Sequence, residues 1–290
     1  MTDIQPTAGK TVSFDVYRYQ LLVDKAVQLK LDSPYHSLEE VRAAKNDIFQ
    51  NLITNKNFYF KSGKSEITSK LMYSEGTMSY FKIAVKRERR ISKKDFTEAV
   101  VEDYTNILIA FNNAPDVQKI AIQTNAYAFK ETDIVSHILQ DTLDKELKKE
   151  SLSFYVEPIF DKKEFWNLVS RYQKQITQLS FEMVSPNMAN ISRNLQVNLK
   201  QLYEDTNSHK TTIELNSDKD SHLEINQQSP LINSLVDYTS EGGGNIALRV
   251  NGIRKKLHTA QSKTEFSVDE QLLKSNDWDA LNDAFKDILI

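Results

Sequence analysis

Asn106-Ile107-Leu108-Ile109-Ala110-Phe111, then Asn112-Asn113-Ala114-Pro115-Asp116, then Lys119-Ile120-Ala121-Ile122-Gln123: the reading of this stretch decides the fold class. Two short isoleucine-rich runs suit buried strands, and the segment between them is dense in turn formers. The pair therefore reads as an antiparallel hairpin. Toward the C-terminus, residues 133–149 place Ile134, Ile138, Leu139, Leu143 and Leu147 on one helical stripe, with Lys145, Lys148 and Lys149 complementing the dipole at its end. A strand over 153–159 follows. Toward the N-terminus, a short helix is expected over 94–103 and strands over 57–61, 66–73 and 79–86, with Gly63 and Gly76 supplying turns. Ser37 and Glu40 form a capping box ahead of Val41, Ala44, Ile48, Phe49 and Leu52 at helical spacing. The aromatic and β-branched run from Phe14 to Leu22 is the first expected strand.

Beyond Asp161 the alternation of Leu179, Phe181 and Met183 predicts a half-buried strand, stopped by Ser185-Pro186-Asn187. A helix over 188–205 and two short strands over 211–215 and 222–225 come next. A helix over 230–238 closes at Gly242-Gly243-Gly244, and a hairpin over 245–258 turns at Asn251-Gly252. The last segment, 269–290, reads as one acidic amphipathic helix bearing Leu272, Leu273, Trp278, Leu281, Phe285 and Leu289. The sum is an α+β protein of mostly antiparallel sheets with packed helices.

The chain has 290 residues, 40% of them hydrophobic and 27% charged, which is enough apolar content for a packed core. No run approaches the ~18 apolar residues that a membrane helix needs, and no basic-then-apolar leader is visible, so a cytoplasmic protein without membrane insertion is expected. The absence of cysteine excludes disulfides, thiolate metal sites and cysteine nucleophiles. Gly9-Lys10-Thr11 and Gly63-Lys64-Ser65 match only the end of a phosphate-binding loop, because Ile4 and Phe58 stand where the first glycine is needed. His36, His137, His209, His222 and His258 show no metal spacing, although His209 and His222 flank two expected strands and could meet. A metal-dependent nuclease using Glu157, Glu214 or Asp218 stands as an alternative. No catalytic residue, metal or cofactor is assigned.

Charge is segregated. From Ser79 to Lys94, Lys82, Lys86, Arg87, Arg89, Arg90, Lys93 and Lys94 stand against the single acid Glu88. From Asn245 to Thr264, Arg249, Arg254, Lys255, Lys256 and Lys263 meet no acid, in a protein of net charge −3. With a two-residue turn at Asn251-Gly252, Arg249 falls opposite Arg254 and Ala247 opposite Lys256. Like charges then face one another on the polar side of the ribbon, an arrangement that a phosphate would relieve. The expected nucleic-acid contacts are therefore Arg249, Arg254, Lys255 and Lys256, with Lys86, Arg87, Arg89, Arg90, Lys93 and Lys94. In the C-terminal segment, Trp278, Leu281 and Phe285 form an apolar stripe that either closes the core or docks on another protein, which keeps a structural or inhibitory interaction subunit as a further alternative.

The hairpin at 106–123, the helix from Asp133, the strand Tyr155-Val156-Glu157-Pro158-Ile159 and the run Leu179-Ser180-Phe181-Glu182-Met183-Val184-Ser185-Pro186 resemble, in order and pattern, the RexA family of phage lambda exclusion proteins. The C-terminal half, with Pro186-Asn187, a helix and the Asn251-Gly252 hairpin, is also similar to a prophage-associated family of unknown function. The resemblance spans roughly residues 14–267. It implies double-stranded DNA binding, a homodimer or a partner defence protein, and a non-enzymatic role in phage exclusion or abortive infection. It also implies two domains, here 1–160 and 161–290. The Tyr17–Leu22 strand and the acidic C-terminal helix depart from the family pattern.

Overall fold

Strand β1 (Thr11–Val23) pairs with three others in an eight-stranded antiparallel sheet of the computed structural model, which describes residues 10–26, 34–55, 61–62, 65–186, 188, 192–193, 195 and 197–289. The first sheet and its helices continue with α1 (Leu38–Asn55), β2 (Lys61–Ser62), β3 (Ser65–Glu75), β4 (Met78–Ser92), β5 (Glu98–Asn112), β6 (Lys119–Gln123), α2 (Thr132–Leu147) and β7 (Leu152–Pro158). The second half holds α3 (Lys162–Arg171), β8 (Ile176–Val184), α4 (Leu199–Thr206), β9 (Lys210–Asn216), α5 (Pro230–Tyr238), β10 (Gly244–Val250) and β11 (Leu257–His258). The chain ends with β12 (Glu265–Asp269), α6 (Glu270–Lys274) and α7 (Trp278–Ile288). The fold is α+β with antiparallel pairing throughout. Among the described residues no helix is long and apolar enough to cross a membrane.

The first sheet runs β12-β1-β6-β5-β4-β3-β2, and β7 shares the β12 edge of β1 farther along the strand. The hairpin expected at 106–123 is formed, with Ile109 opposite Ile122 and Phe111 opposite Ile120. Because side chains alternate across a strand, β1 divides two cores. Tyr17, Tyr19, Leu21 and Val23 face α1 and α2, where Phe49, Ile53, Leu139 and Leu143 complete the larger core. Phe14 and Val16 face the other way and are covered by Leu281, Phe285 and Leu289. Ser37 accepts the amide of Glu40 at the start of α1, and the Glu40 carboxylate accepts from His36 N, a slightly displaced form of the expected capping box.

The second sheet has the order β11-β10-β8-β9. Leu179, Phe181 and Met183 of β8 join Ile246, Leu248 and Val250 of β10 beneath Phe165 of α3 and Leu235 and Val236 of α5. Arg18 connects the two sheets. It is 3% exposed, its Nε donates to Glu241 O at 2.5 Å and its Nη1 to Val117 O at 2.9 Å. Gly242 passes over it at φ +80°, and a Cβ there would come within 2.4 Å of Arg18 Cβ, so the position requires glycine on both counts.

Several expectations are corrected. Residues 98–103 are strand, not helix: β5 runs 15 residues and pairs with β4 along its whole length, so the ladder supplies hydrogen bonds that a short polar helix could not match. Residues 222–225 are not a strand, although Leu223 N donates to Ile176 O. Ile134 faces solvent, and the buried stripe of α2 begins at Val135. Of the helix expected over 188–205, residues 199–205 lie in α4, and residues 189–191, 194 and 196 are outside the described set. The strand expected over 57–61 is outside it too, except for Lys61. Helix α3 was not anticipated, although Asp161 accepts from Lys163 N as its cap and Glu164 stands in its first turn. The C-terminal segment is broken into β12, α6 and α7, and all of it returns to the first sheet rather than staying with the second.

Phe285 packs edge-on against Phe14 at 5.1 Å, Phe266 at 5.4 Å and Tyr80 at 5.6 Å and is fully buried. Phe285→Ala should cost about 3–5 kcal/mol in urea unfolding, the usual range for removing a core phenylalanine.

Candidate nucleic-acid interface

The first basic stretch lies on β4, and the register of β4 with β5 decides its character. Arg87 stands opposite Asp103, Glu88 opposite Glu102 and Ser92 opposite Glu98. The acids of β5 thus come alongside the bases of β4. Lys86 Nζ sits 2.7 Å from Glu102, Arg89 Nε 2.7 Å from Asp103, and Arg90 Nη1 3.8 Å from Glu98. The hydrogen bond from Lys86 holds the Glu102 carboxyl below its usual range. Arg87 Nη2 is occupied by Ala128 O at 2.8 Å. Counted along the chain this segment was strongly basic; counted across the ladder it is nearly balanced. Lys93 and Lys94 differ, being exposed in the turn at the end of the ribbon with no ion-pair partner among the described residues.

The second basic stretch keeps its charge. Its turn closes by a hydrogen bond from Ile253 N to Val250 O at 3.1 Å with Gly252 at φ +79°, as expected at Asn251-Gly252. The strand pairing after the turn is corrected. The observed pairs are Leu248 with Leu257 and Ala247 with His258, two residues away from the register of a simple two-residue hairpin. Arg249 therefore does not stand opposite Arg254. Residues 253–256 loop outward instead, while β10 spends its other edge on β8, pairing Arg249 with Gln178. Arg249, Arg254 and Lys255 are exposed and Lys256 half-buried, and none of the four has an ion-pair partner among the described residues. Lys263 leaves this group: it is largely buried, 3.0 Å from Asp133.

Trp278, Leu281 and Phe285 are corrected as a docking stripe. Leu281 and Phe285 lie within the smaller core, and Trp278 stacks on Tyr73 at 6.1 Å, so the stripe covers the chain's own sheet. Glu157, Glu214 and Asp218 do not converge. Glu157 neighbours Lys210 at 3.6 Å, while Glu214, four residues along the same strand, is displaced by about 13 Å. Among the described residues no three His, Asp or Glu side chains are placed to share a metal. His209 and His222 do not meet. His209 lies near Val184, through Ser185 N to His209 O, and His222 precedes the contact at Ile176, at the opposite end of β8.

Two concavities between the sheets had no signal in the sequence, because their walls come from distant segments. One, of about 610 Å³, is lined by Arg18, Lys119, Lys162, Asp237, Tyr238 and Glu241. The other, of about 330 Å³, brings His137, Gln140, Glu157, Lys210, Asn245 and His258 together. Asn245 Nδ2 and His258 Nδ1 are 3.1 Å apart. Burial pushes the Glu157 carboxyl up, with Glu182 adding to the effect and Lys210 opposing it. No protein-family model, curated protein or solved structure matches the chain.

The raised Glu157 carboxyl has a consequence for stability. Its folded pKa lies above its unfolded value, so its contribution is fully present below the unfolded value and is lost as pH rises through the folded one. Urea unfolding at a series of pH values from 4 to 8 should show Glu157→Gln gaining on the parent protein as pH rises and matching it most closely at the acid end.

Proposed function

We propose that this chain is a non-enzymatic protein that binds double-stranded DNA by its phosphates, through Arg249, Arg254, Lys255 and Lys256, with Lys93 and Lys94 as a second contact. The observation that carries the reading is the loop at 249–256, where four cations in eight residues have no acid in the sequence window and no ion-pair partner among the described residues. Such a cluster repels itself, and a polyanion that neutralises it releases its own counterions in doing so. Lys86, Arg87, Arg89 and Arg90 rank below these as contacts because the β5 acids and Ala128 O stand against their side chains and offset their charge. A role in phage exclusion is proposed with it, supported by the resemblance of the 106–159 strand and helix order to the RexA family. Contacts to phosphate position a protein without reading bases, so sequence preference is expected to be weak.

Fluorescence anisotropy with a labelled duplex across a salt series tests the reading. The parent protein should bind with log affinity falling steeply with log salt and should leave the DNA intact in magnesium. Arg249→Glu with Arg254→Glu should weaken binding at least tenfold and make the slope shallower by roughly 2, at ~0.9 for each lost phosphate contact. No binding by the parent protein at low salt would overturn the reading.

A further inference from the structure

Beyond the last β3 pair, Ile67 with Val85, and the last β6 pair, Ile109 with Ile122, the β4–β5 ribbon has no neighbouring strand among the described residues. The seven residues from Lys86 to Ser92 carry it about 23 Å outward. Its turn is closed by Lys93 N to Thr97 O at 2.8 Å and Phe96 N to Lys93 O at 2.9 Å. Asp95 Oδ1 accepts from Thr97 N and Thr97 Oγ1, so that carboxylate is engaged within the turn. Phe96 occupies the left-handed position at φ 64° and is 95% exposed. Glycine or asparagine fits that backbone at lower cost, and water is a poor environment for a phenyl ring. The chain accepts both penalties at one residue, and among the described residues no ring contact of the Phe96 side chain offsets either. A bulky residue held in a disfavoured conformation at the tip of a projecting element is a pattern found where the side chain has work to do outside the fold.

We propose that Phe96 is a wedge that enters between base pairs of duplex DNA; the inference rests on the nucleic-acid reading above and names what the ribbon adds to it. Lys93 and Lys94 flank the ring and supply phosphate contacts, and two-stranded ribbons are admitted by the major or the minor groove. Apolar wedges that enter base steps from the minor groove unstack them and bend the duplex. The ribbon's other exposed apolar groups are divided between its faces: Ile91 shares one with Val101, and Val100 shares the other with Tyr104. A protein partner on one face would leave the opposite pair uncovered. A groove encloses both faces.

The test uses the full chain and duplexes carrying 2-aminopurine at successive steps, whose fluorescence rises on unstacking, together with anisotropy across salt. The parent protein should bind and raise the fluorescence at least twofold. Phe96→Asn, which suits the left-handed backbone, should melt at the same temperature or higher. It should bind roughly tenfold more weakly with an unchanged salt slope, as loss of a base-stacking aromatic does, and raise no fluorescence. Parent-level unstacking by Phe96→Asn, or DNA binding by the parent without any rise, would overturn the wedge and leave the phosphate reading standing. Absence of DNA binding by the parent would instead overturn the reading beneath it. A dimer in sedimentation that Phe96→Asn abolishes, with unstacking unchanged, would overturn the wedge by assigning Phe96 to a second copy.

Discussion

Burial of β1 on both faces and both edges is the constraint on which the rest of the molecule depends. Its backbone pairs with β6 on one side and with β7 and β12 in succession on the other. One face holds the large core under α1 and α2, and the other begins the smaller core under α7. A strand used in four directions is covered on every side, and Tyr17 to Val23 is buried without a break, the polar Arg18 and Gln20 included. Of these two, Arg18 joins the halves. A buried guanidinium costs several kcal/mol unless its donors are occupied, and here the carbonyls of Glu241 and Val117 occupy two of them while the Glu241 carboxylate stands at 3.6 Å. The glycine crossing at Gly242 follows from that placement, since the loop must lie directly on the side chain it neutralises.

Electrostatics divide along the same lines. The β4 bases and β5 acids are separated by a turn and come together only because the two strands pair, so the ribbon gains cross-strand ion pairs that are individually weak and exposed. The 249–256 loop has no equivalent. Its neighbouring strand β8 offers Gln178 opposite Arg249 rather than an acid, and the segment that carries β11 contains no acid at all. The difference between the two basic stretches is therefore one of partners rather than of residue content.

Much of the fold was legible from local pattern. The 106–123 hairpin, α1 with its cap, α2, β7, β8, α5 and the Asn251-Gly252 turn all carry strong signals of period, propensity or turn chemistry. The misses share a cause. Residues 98–103 are polar enough to suit a solvated helix, and only the long β4 partner makes them strand. Residues 265–269 show the alternation of an edge strand weakly, and their partner lies some 250 positions earlier, at Thr11 to Asp15. Helix α3 is the exception: its Asp161 cap and its stripe of Phe165, Leu168, Val169 and Tyr172 at helical spacing were legible in the sequence. Of the candidate interface, the loop cations were legible, whereas Phe96 was not: a phenylalanine in a sequence is ordinarily a core residue, and nothing local shows that this one lies at the end of a ribbon.

The sequence by itself determined the α+β class, the absence of thiol chemistry, the positions of the clearest strands and helices, and the segregation of charge. These depend on neighbours within about twenty residues, where spacing, turn formers and composition act directly. Tertiary structure alone decided which basic stretch stays unpaired, which sheet receives the C-terminal segment, and where the two concavities lie. Each of these is set by strand register and by contacts between residues remote in the chain, and a shift of register by even one position changes which side chains share a face.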